Sequence, residues 1–214
     1  MSLVVKICGL STQSSVEAAV DAGADMVGFV FFERSPRHVS LGKACELVKS
    51  ARGRAAIVAL TVDADESTVC DIIDALRPDL LQLHGEEPPE RIEYMRAKFK
   101  VPLMKAVGIA GRADLEAAKK YVNADRILID AKAPADAAHP GGNGFAFDWR
   151  LLEDFVTPAP FMLSGGLDAS NVGEAIRVAR PGGVDVSSGV ERAPGLKDEA
   201  MISAFVRAAR AAAA

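Results

Sequence analysis

Two hydrophobic patterns alternate along this chain. Short runs of apolar and β-branched residues are separated by stretches in which apolar residues recur every three or four positions, as at residues 16–20, 45–48 and 69–73. The first pattern is typical of buried strands, and the second is typical of amphipathic helices. We therefore predict eight strands, each followed by a helical segment, at residues 3–8, 25–31, 55–61, 79–83, 102–107, 126–131, 160–163 and 183–187.

An aspartate recurs at the predicted start of every second strand. Asp25, Asp79, Asp125 and Asp185 are separated by 54, 46 and 60 residues, about two strand–helix units each. Aspartate is common in turns, but four at near-regular spacing indicate a structural repeat. Consecutive strand–helix units imply parallel strands, because each helix serves as a crossover. The sequence thus predicts an α/β fold, a single-domain (β/α)8 TIM barrel with a parallel eight-stranded sheet over residues 1–214.

Local signals refine the helix ends. Ser14 followed by Glu17 fits a capping box at the start of the first helix, and Gly23 fits its end. The alanine-rich residues 208–214 are expected to be a frayed end of the last helix.

Composition and charge narrow the functional classes. Half of the 214 residues are hydrophobic and the net charge is −4 with both signs dispersed, so we expect neither a nucleic-acid nor a membrane partner. No apolar run approaches the roughly 20 residues of a membrane span, and the N-terminus lacks a signal-peptide pattern. Three cysteines without a CxxC or Cys/His pattern indicate reduced thiols, a cytoplasmic location and no structural zinc.

The active site of such a barrel lies at the C-terminal ends of its strands, and Cys8 ends the first one. Alternation places Lys6 and Cys8 on the same strand face, and Gly9 permits a tight turn that leaves the thiol uncovered. Near Lys6, the thiol could have a lowered pKa and act as a base or a nucleophile. The alternative is an inert buried cysteine, as we expect for Cys45 and Cys70.

Two further strand ends carry candidate catalytic groups. Asp130 ends strand six and is a candidate general acid, because a carboxylate on an apolar strand is costly unless it is paired or used. The alternative is a loop cap or an ion pair with Lys132. His84 ends strand four and could be a base, a hydrogen-bond donor to substrate or a loop-closing residue. We expect no metal site, because His38 and His139 lie in loops.

The loop after strand two contains Arg34 and Arg37 on either side of Pro36. A planar guanidinium suits a carboxylate or phosphate that it binds in a bidentate manner. Arg34 fits a solvated surface position better, so Arg37 is the candidate for substrate binding.

Three glycine-bearing segments follow strands six, seven and eight. Glycines let backbone amides approach an anion closely, and loops seven and eight commonly hold phosphate in such barrels. A short helix start after strand eight would add its dipole. A thiol, a carboxylate and a basic group around such loops suit proton transfer on a sugar phosphate. The candidate phosphate-binding residues are Gly142, Gly144, Gly165, Gly166, Ser187, Ser188 and Gly189.

Motifs at almost every strand end together resemble one enzyme family, the phosphoribosylanthranilate isomerases of tryptophan biosynthesis. The resemblance covers nearly the whole chain. The segments that carry it are residues 6–9, 28–31, 35–37, 81–85, 128–130, 141–144 with 147–149, 163–167 and 184–191.

The resemblance implies an Amadori rearrangement of a small phosphorylated substrate, without cofactor or metal, in a monomer or homodimer. Asp130 would be the general acid, and Cys8 would be the general base. Arg37 would contact the anthranilate end of the substrate, with His84 in the same pocket, and the glycine loops would hold the phosphate.

The chain departs from the family pattern in the loop after strand six. Asn143 stands where the family often has threonine, and Phe145 stands where a lysine is frequent, which leaves the contribution of these side chains to phosphate affinity open. Residues 133–140 match no family motif, and we interpret them as candidates for a mobile lid.

Two other classes of function remain open. The first keeps the barrel and the phosphate site but acts on another substrate, as another phosphosugar isomerase, an epimerase or an aldolase would. An aldolase would need a Schiff-base lysine at a strand end, for which Lys105 and Lys132 are the candidates. A non-catalytic barrel that binds phosphometabolites would bind its ligand without using Cys8 or Asp130.

Overall fold

Eight parallel strands pair in chain order and close into a barrel in the computed structural model, which describes residues 3–133, 139–142, 144 and 146–213. This closure confirms the predicted (β/α)8 fold, and each strand lies within two residues of its predicted bounds. The strands are β1 Val4–Cys8, β2 Met26–Phe31, β3 Ala56–Thr61, β4 Leu80–Leu83, β5 Leu103–Ile109, β6 Arg126–Ala131, β7 Phe161–Leu163 and β8 Gly183–Val186.

Helices follow most of the strands and surround the barrel. They are α1 Gln13–Asp21, α2 Leu41–Leu47, α3 Glu66–Leu76, α4 Pro89–Phe99, α5 Arg112–Ala118, α6 Val172–Ala179 and α7 Glu199–Ala213. In the described residues between β6 and β7, a 3-10 helix at Trp149–Leu152 replaces the predicted α-helix. Gly142 and Gly144 adopt positive φ in this loop, which is incompatible with a continuous right-handed helix.

A short antiparallel pair of strands, not predicted from the sequence, lies between β8 and α7. It consists of β9 Glu191–Ala193 and β10 Leu196–Lys197, and we call it the arm. Its two strands are too short to show a periodic pattern in the sequence.

The core has two layers, as the strand alternation requires. In β1, Val5 and Ile7 belong to the large cluster between the barrel and its helices, whereas Lys6 and Cys8 alternate with them. Met104 and Leu128 belong to a second, smaller buried cluster. No helix in the described part of the chain is long and apolar enough to cross a membrane.

Three of the four repeated aspartates connect neighbouring strands. Each lies just before an even-numbered strand and accepts a hydrogen bond from a backbone N–H of the preceding odd-numbered strand. The bonds are Val5 N to Asp25 (2.7 Å), Ile57 N to Asp79 (2.7 Å) and Leu103 N to Asp125 (2.9 Å). The repeat therefore has a structural cause, because the carboxylates satisfy amides at the start of β1, β3 and β5.

The fourth aspartate of the repeat does not share this role. Asp185 lies inside β8, pairs in register with Lys6 of β1, and forms an ion pair with its ammonium group. The prediction that Asp185 marks the start of strand eight is therefore wrong.

The ends of α1 and α7 also differ from prediction. Thr12, not Ser14, is the N-cap of α1, and Ser15 completes the capping box, whereas Gly23 follows the helix with φ +88° as predicted. The helix α7 continues through Ala213 instead of fraying from residue 208. Ala209 is buried, and Arg210 donates hydrogen bonds to Leu3 O and Gly23 O.

Candidate active site

A cavity at the C-terminal ends of the strands brings together all but one of the predicted site residues. Gly189 is the exception. The predicted residues that line the cavity are Cys8, Arg37, His84, Asp130, Gly142, Gly144, Gly165, Gly166, Ser187 and Ser188. Residues from six different strand ends therefore converge on one site.

Cys8 is buried at the end of β1 and lines this cavity. Gly9 has φ +76°, and a Cβ atom added there would lie 2.6 Å from Cδ of Arg37. Glycine is therefore required at this turn for two reasons, its backbone conformation and the close approach of the arginine. The stem of Arg37 lies directly on the turn that follows the thiol.

Burial and charged neighbours together set the pKa of the Cys8 thiol. Lys6 is fully buried and its Nζ lies 2.9 Å from Oδ1 of Asp185. Burial raises the pKa of the Cys8 thiol, and the negative charge of Asp185 raises it further. The Lys6 cation lowers this pKa but offsets only part of the effect of burial. The expectation that Lys6 gives Cys8 a lowered pKa is therefore wrong, because desolvation outweighs the nearby cation.

Lys6 itself has a raised pKa. Burial alone would lower it, but the negative charges of Asp185 and of ionised Cys8 outweigh burial. Gly28 on β2 leaves room for the pair, because a Cβ there would lie 3.0 Å from Cys8 Sγ and 3.3 Å from Lys6 Cε.

Asp130 is buried at the end of β6 and faces His84. Its Oδ1 accepts a hydrogen bond from Ala131 N (2.9 Å), and its Oδ2 lies 3.3 Å from His84 Nε2. The alternative of an ion pair with Lys132 is wrong, because Lys132 binds Asp114 instead (2.9 Å). Asp130 therefore keeps a carboxylate oxygen beside an imidazole at the cavity wall.

The ring of His84 is held from its other side. Gln82, which is fully buried on β4, places its Nε2 3.0 Å from His84 Nδ1. Gln82, His84 and Asp130 thus form a chain of polar contacts from β4 to β6. Such a chain restricts the orientation of the imidazole, which sequence alone did not indicate.

Arg37 rather than Arg34 reaches the cavity, as predicted. Arg37 is buried and forms a bidentate ion pair with Glu191, and its NH2 donates to Gly142 O (3.1 Å). Arg34 lies over the ring of Phe32, 5.1 Å from its centroid. Glu191 and its second partner, Lys197, were missed because they are distant in sequence and lie on the unpredicted arm.

The loop after β6 covers the acid side of the site. A Cβ added at Gly141 would lie 2.6 Å from His84 Nε2 and 3.0 Å from Asp130 Oδ2, so the backbone of this loop lies directly on both side chains. Asn143, Phe145 and residues 134–138, which include most of the proposed lid, lie outside the described residues.

The glycine loops after β7 and β8 are packed against each other and against β6. Gly165 (φ +87°) approaches the backbone of Ala131, where an added Cβ would lie 2.6 Å from the amide nitrogen. An added Cβ at Gly189 would lie 1.9 Å from Leu167 O, so Gly189 joins the two loops instead of lining the cavity. A 3-10 turn at Ser188–Val190 occupies the position of the predicted helix start.

The two lysines considered for Schiff-base chemistry are both held in ion pairs. Lys105 is buried and binds Glu87 (2.8 Å) and Gly85 O (2.6 Å), and Lys132 binds Asp114. The arrangement therefore offers a thiol and a carboxylic acid for proton transfer more readily than an amine for covalent catalysis.

Comparison with known proteins assigns the chain to a family. The model of the family described as N-(5′-phosphoribosyl)anthranilate (PRA) isomerase matches residues 5–208. The chain belongs to the phosphoribosylanthranilate isomerase family. The family resemblance found in the sequence is thereby confirmed.

Full-length relatives of the phosphoribosylanthranilate isomerase family support this assignment. The enzyme named N-(5′-phosphoribosyl)anthranilate isomerase from Nitrobacter winogradskyi is 60% identical over 213 residues, which cover 99% of this chain and 95% of the relative. The enzyme of the same name from Rhodopseudomonas palustris is 58% identical over 212 residues, covering 99% and 97%.

Solved structures of this family share the whole fold. The phosphoribosyl anthranilate isomerase of Thermotoga maritima matches with a TM-score of 0.88 at 35% identity, covering 98% of this chain and 99% of the other. A phosphoribosyl anthranilate isomerase in complex with reduced 1-(o-carboxyphenylamino)-1-deoxyribulose 5-phosphate matches with a TM-score of 0.85 at 34% identity, with the same coverage.

Proposed function

We propose that this chain isomerises N-(5′-phosphoribosyl)anthranilate to 1-(2-carboxyphenylamino)-1-deoxyribulose 5-phosphate, a step of tryptophan biosynthesis. The observation that carries the proposal is that Cys8 of β1 and Asp130 of β6 line one cavity in a member of this family. The product bound in reduced form to a related enzyme has a phosphate at one end and a carboxyphenyl group at the other. The glycine loops and Arg37 suit these two anionic groups respectively.

The reaction begins with opening of the ribose ring. Asp130, in its protonated form, donates its proton to the furanose ring oxygen as the C1′–O bond breaks, and the anilino nitrogen forms a Schiff base to C1′. His84 is placed to hold the Asp130 carboxyl group, because its Nε2 lies 3.3 Å from Oδ2. The ring oxygen becomes a hydroxyl group, so the proton is accounted for.

In the second stage, the C1′=N double bond of the Schiff base is replaced by a C1′=C2′ double bond. Cys8, as the thiolate, removes the C2′ proton, and the electron pair passes through C1′ to the nitrogen to give an enolamine. Tautomerisation then adds a proton at C1′ as the C2′ hydroxyl group loses its own, which produces the ketone at C2′. Cys8 has gained one proton and Asp130 has lost one, so exchange with solvent restores both groups for the next turnover. Because burial raises the pKa of the Cys8 thiol, the thiolate is a minor form at neutral pH, and it is a strong base once formed.

The binding groups position the substrate for these transfers. Ser188 and the glycines of the loops after β6 and β7 line the cavity beside Cys8 and Asp130, and they present hydroxyl and backbone groups to a phosphate. Arg37 lies on the turn after Cys8, where it suits the carboxylate of the anthranilate ring. Each step transfers a proton or moves an electron pair within the substrate, so the proposed route calls for no redox partner.

A direct assay tests the activity. The purified chain is mixed with freshly prepared N-(5′-phosphoribosyl)anthranilate, and loss of its fluorescence is followed while the product is identified by mass spectrometry and by its ketone. We expect enzyme-dependent conversion to an isomer of the same mass. Conversion no faster than in buffer, or release of free anthranilate without the isomer, would refute the proposal.

We also propose a cytoplasmic location and a monomeric or homodimeric state. The three cysteines are free thiols, as expected for a reducing compartment. One Thermotoga maritima structure is described as monomers generated from a dimeric phosphoribosylanthranilate isomerase, so both states are known for that relative. Analytical ultracentrifugation of the purified chain distinguishes the two states, and fractionation of the source cells tests the location.

A further inference from the structure

The arm that follows β8 holds Arg37 in place. Its turn residue Gly195 has φ +79°, and a Cβ added there would lie 2.3 Å from Pro36 O, so the arm lies against the loop that carries Arg37. Glu191 begins the arm and Lys197 ends it. The arm therefore brings one acidic and one basic side chain to the edge of the active site.

Three charged side chains form a buried cluster there. Glu191 Oε1 accepts from Arg37 Nε (2.7 Å) and from Lys197 Nζ (2.7 Å), and Oε2 accepts from Arg37 NH2 (2.8 Å). All three side chains are at most 6% exposed. Lys197 also donates to the backbone oxygen of Ser187 (2.8 Å) and to its hydroxyl (3.2 Å), which connects the cluster to the predicted phosphate loop.

Stability alone is a weak explanation for this cluster. Replacing buried ion pairs by packed apolar residues is often neutral or stabilising, so a buried triad is poor evidence of a stabilising role. The position of the triad is more informative, because one member faces the cavity and another binds the loop after β8.

The geometry leaves a defined part of Arg37 for the substrate. Glu191 occupies the Nε and NH2 edge, and NH2 also donates to Gly142 O. Within the described part of the chain, NH1 is the guanidinium nitrogen without a hydrogen bond. The orientation of NH1 is therefore set by the bidentate ion pair that Glu191 forms with the Nε and NH2 edge of the guanidinium group.

We propose that Glu191 is a positioning residue that orients Arg37 toward the ring carboxylate of the substrate, while Lys197 ties Glu191 to Ser187 of the phosphate loop. This inference rests on the proposed function. In this arrangement, the arm connects the binding site for the ring carboxylate with the binding site for the phosphate. The cluster carries one net positive charge, which remains available to an anionic substrate.

The ionisation of Glu191 agrees with this role. Burial by itself would raise the pKa of this carboxyl group, but the hydrogen bond from Arg37 and the charge of Lys197 outweigh burial and lower it. Burial lowers the pKa of Lys197, and Glu191 offsets only part of that effect. Glu191 thus stays ionised and able to hold Arg37 across the neutral range.

The test compares two substrates that differ only in the ring carboxylate. N-(5′-phosphoribosyl)anthranilate and N-(5′-phosphoribosyl)aniline are assayed with wild type, Glu191→Gln and Arg37→Met. We expect Glu191→Gln to lower kcat/KM for the anthranilate substrate by about 10- to 100-fold, mainly through KM, because a misplaced binding group can cost about 10²-fold. For the aniline substrate, kcat/KM should change by less than about threefold, because this substrate lacks the carboxylate that Arg37 binds.

The variants also test the route of the effect. If Glu191 acts through Arg37, the double variant Glu191→Gln/Arg37→Met should have a kcat/KM for the anthranilate substrate only slightly below that of Arg37→Met alone. Equal losses with both substrates, or full additivity, would overturn the inference. Should Glu191→Gln fail to fold, Glu191→Asp, which keeps the charge but shortens the side chain, must show the same split between substrates.

Two controls separate this inference from the proposed function. Glu153→Gln, at an exposed position away from the site, should leave kcat/KM unchanged for both substrates. Lys197→Met should weaken competitive inhibition by inorganic phosphate, and unchanged phosphate inhibition would refute the link to Ser187. Absence of activity in wild type would refute the proposed function itself, whereas an active wild type with an unaffected Glu191→Gln would refute only the positioning role.

Discussion

At the scale of single residues, the site contains a buried thiol whose charged neighbours shift its pKa in opposite directions. Lys6 and Lys197 favour the thiolate of Cys8, whereas burial and Asp185 oppose it. Burial prevails, so the protein keeps a strong base in its protonated form and does not expose a reactive thiolate. This suits a proton transfer in which the base must accept a proton from carbon.

The raised pKa of Cys8 gives a prediction about its titration. The difference in ultraviolet thiolate absorbance between wild type and Cys8→Ser should show a midpoint above the ordinary value for a cysteine, because burial disfavours the charged form. A midpoint at or below the ordinary value would contradict this account of the electrostatics.

The same shift affects folding stability, with a defined sign. The unfolded chain ionises Cys8 first as the pH rises, so it binds fewer protons than the folded chain in that range. Wild type should therefore lose stability relative to Cys8→Ser as the pH rises above the ordinary thiol pKa, in urea unfolding at a series of pH values.

Sequence reasoning found the catalytic candidates but missed their charged partners. Cys8, Asp130 and Arg37 were found because each lies at or after the end of a recognisable strand. Asp185 could also have been found, since an inward-facing Lys6 needs a partner and closure of the barrel pairs β1 with β8. Glu191 ends the family motif at residues 184–191, but nothing local in the sequence indicates that the arm folds back toward residue 37.

At the scale of elements, the loops after β7 and β8 form one unit through Gly189. Its backbone lies so close to Leu167 O that any side chain would separate the loops. The candidate phosphate site therefore depends on packing between loops as well as on the groups that face the ligand.

Gly189→Ala should separate these two loops. We expect a loss of about 1–3 kcal/mol in the free energy of unfolding, as for overpacking elsewhere, together with weaker inhibition by inorganic phosphate. Gly42→Ala is the matched control, because an added Cβ at this exposed position in α2 meets nothing within 4 Å, and stability should be unchanged or raised by up to about 1 kcal/mol. Equal stability of the two variants would argue against the contact.

Periodicity predicted the eight barrel strands well because each is a short, mostly apolar run that is buried along most of its length. It failed for the loop after β6, where the backbone of Gly141 and Gly142 lies against the side chains of His84 and Arg37, which are distant in sequence. It also failed for the cap of α1, where Thr12 and Ser15 compete with the equally plausible Ser14 and Glu17. The path of the loop depends on contacts between residues that are distant in sequence, whereas the cap is a choice between two neighbouring residue pairs.

At the scale of the whole molecule, the last helix returns to the first strands. Arg210 of α7 binds Leu3 O, Gly23 O and the carboxylate of Asp25, which in turn accepts from Val5 N. The alanine-rich composition suggested a frayed tail, but composition cannot show that Arg210 meets free backbone oxygens across the sequence.

Arg210→Ala should therefore destabilise the fold. We expect a loss of about 1–2 kcal/mol in the free energy of unfolding, since several partly exposed hydrogen bonds are removed together. Arg207→Ala, at an exposed position on the same helix, should stay within about 0.5 kcal/mol of wild type. Urea unfolding at 25 °C compares the two variants, and a frayed helix end would make both neutral.

Closure of the barrel brings Cys8 of β1, the proposed base, and Asp130 of β6, the proposed acid, to one cavity. The most direct measurement is the turnover of N-(5′-phosphoribosyl)anthranilate by wild type, Cys8→Ser and Asp130→Asn, with the affinity of each for the reduced product analogue. We predict that each substitution lowers kcat by about 10²- to 10⁴-fold while the analogue still binds. Near-wild-type turnover in either variant would contradict the role assigned to that residue. If the chain only binds its ligand, both roles would be contradicted.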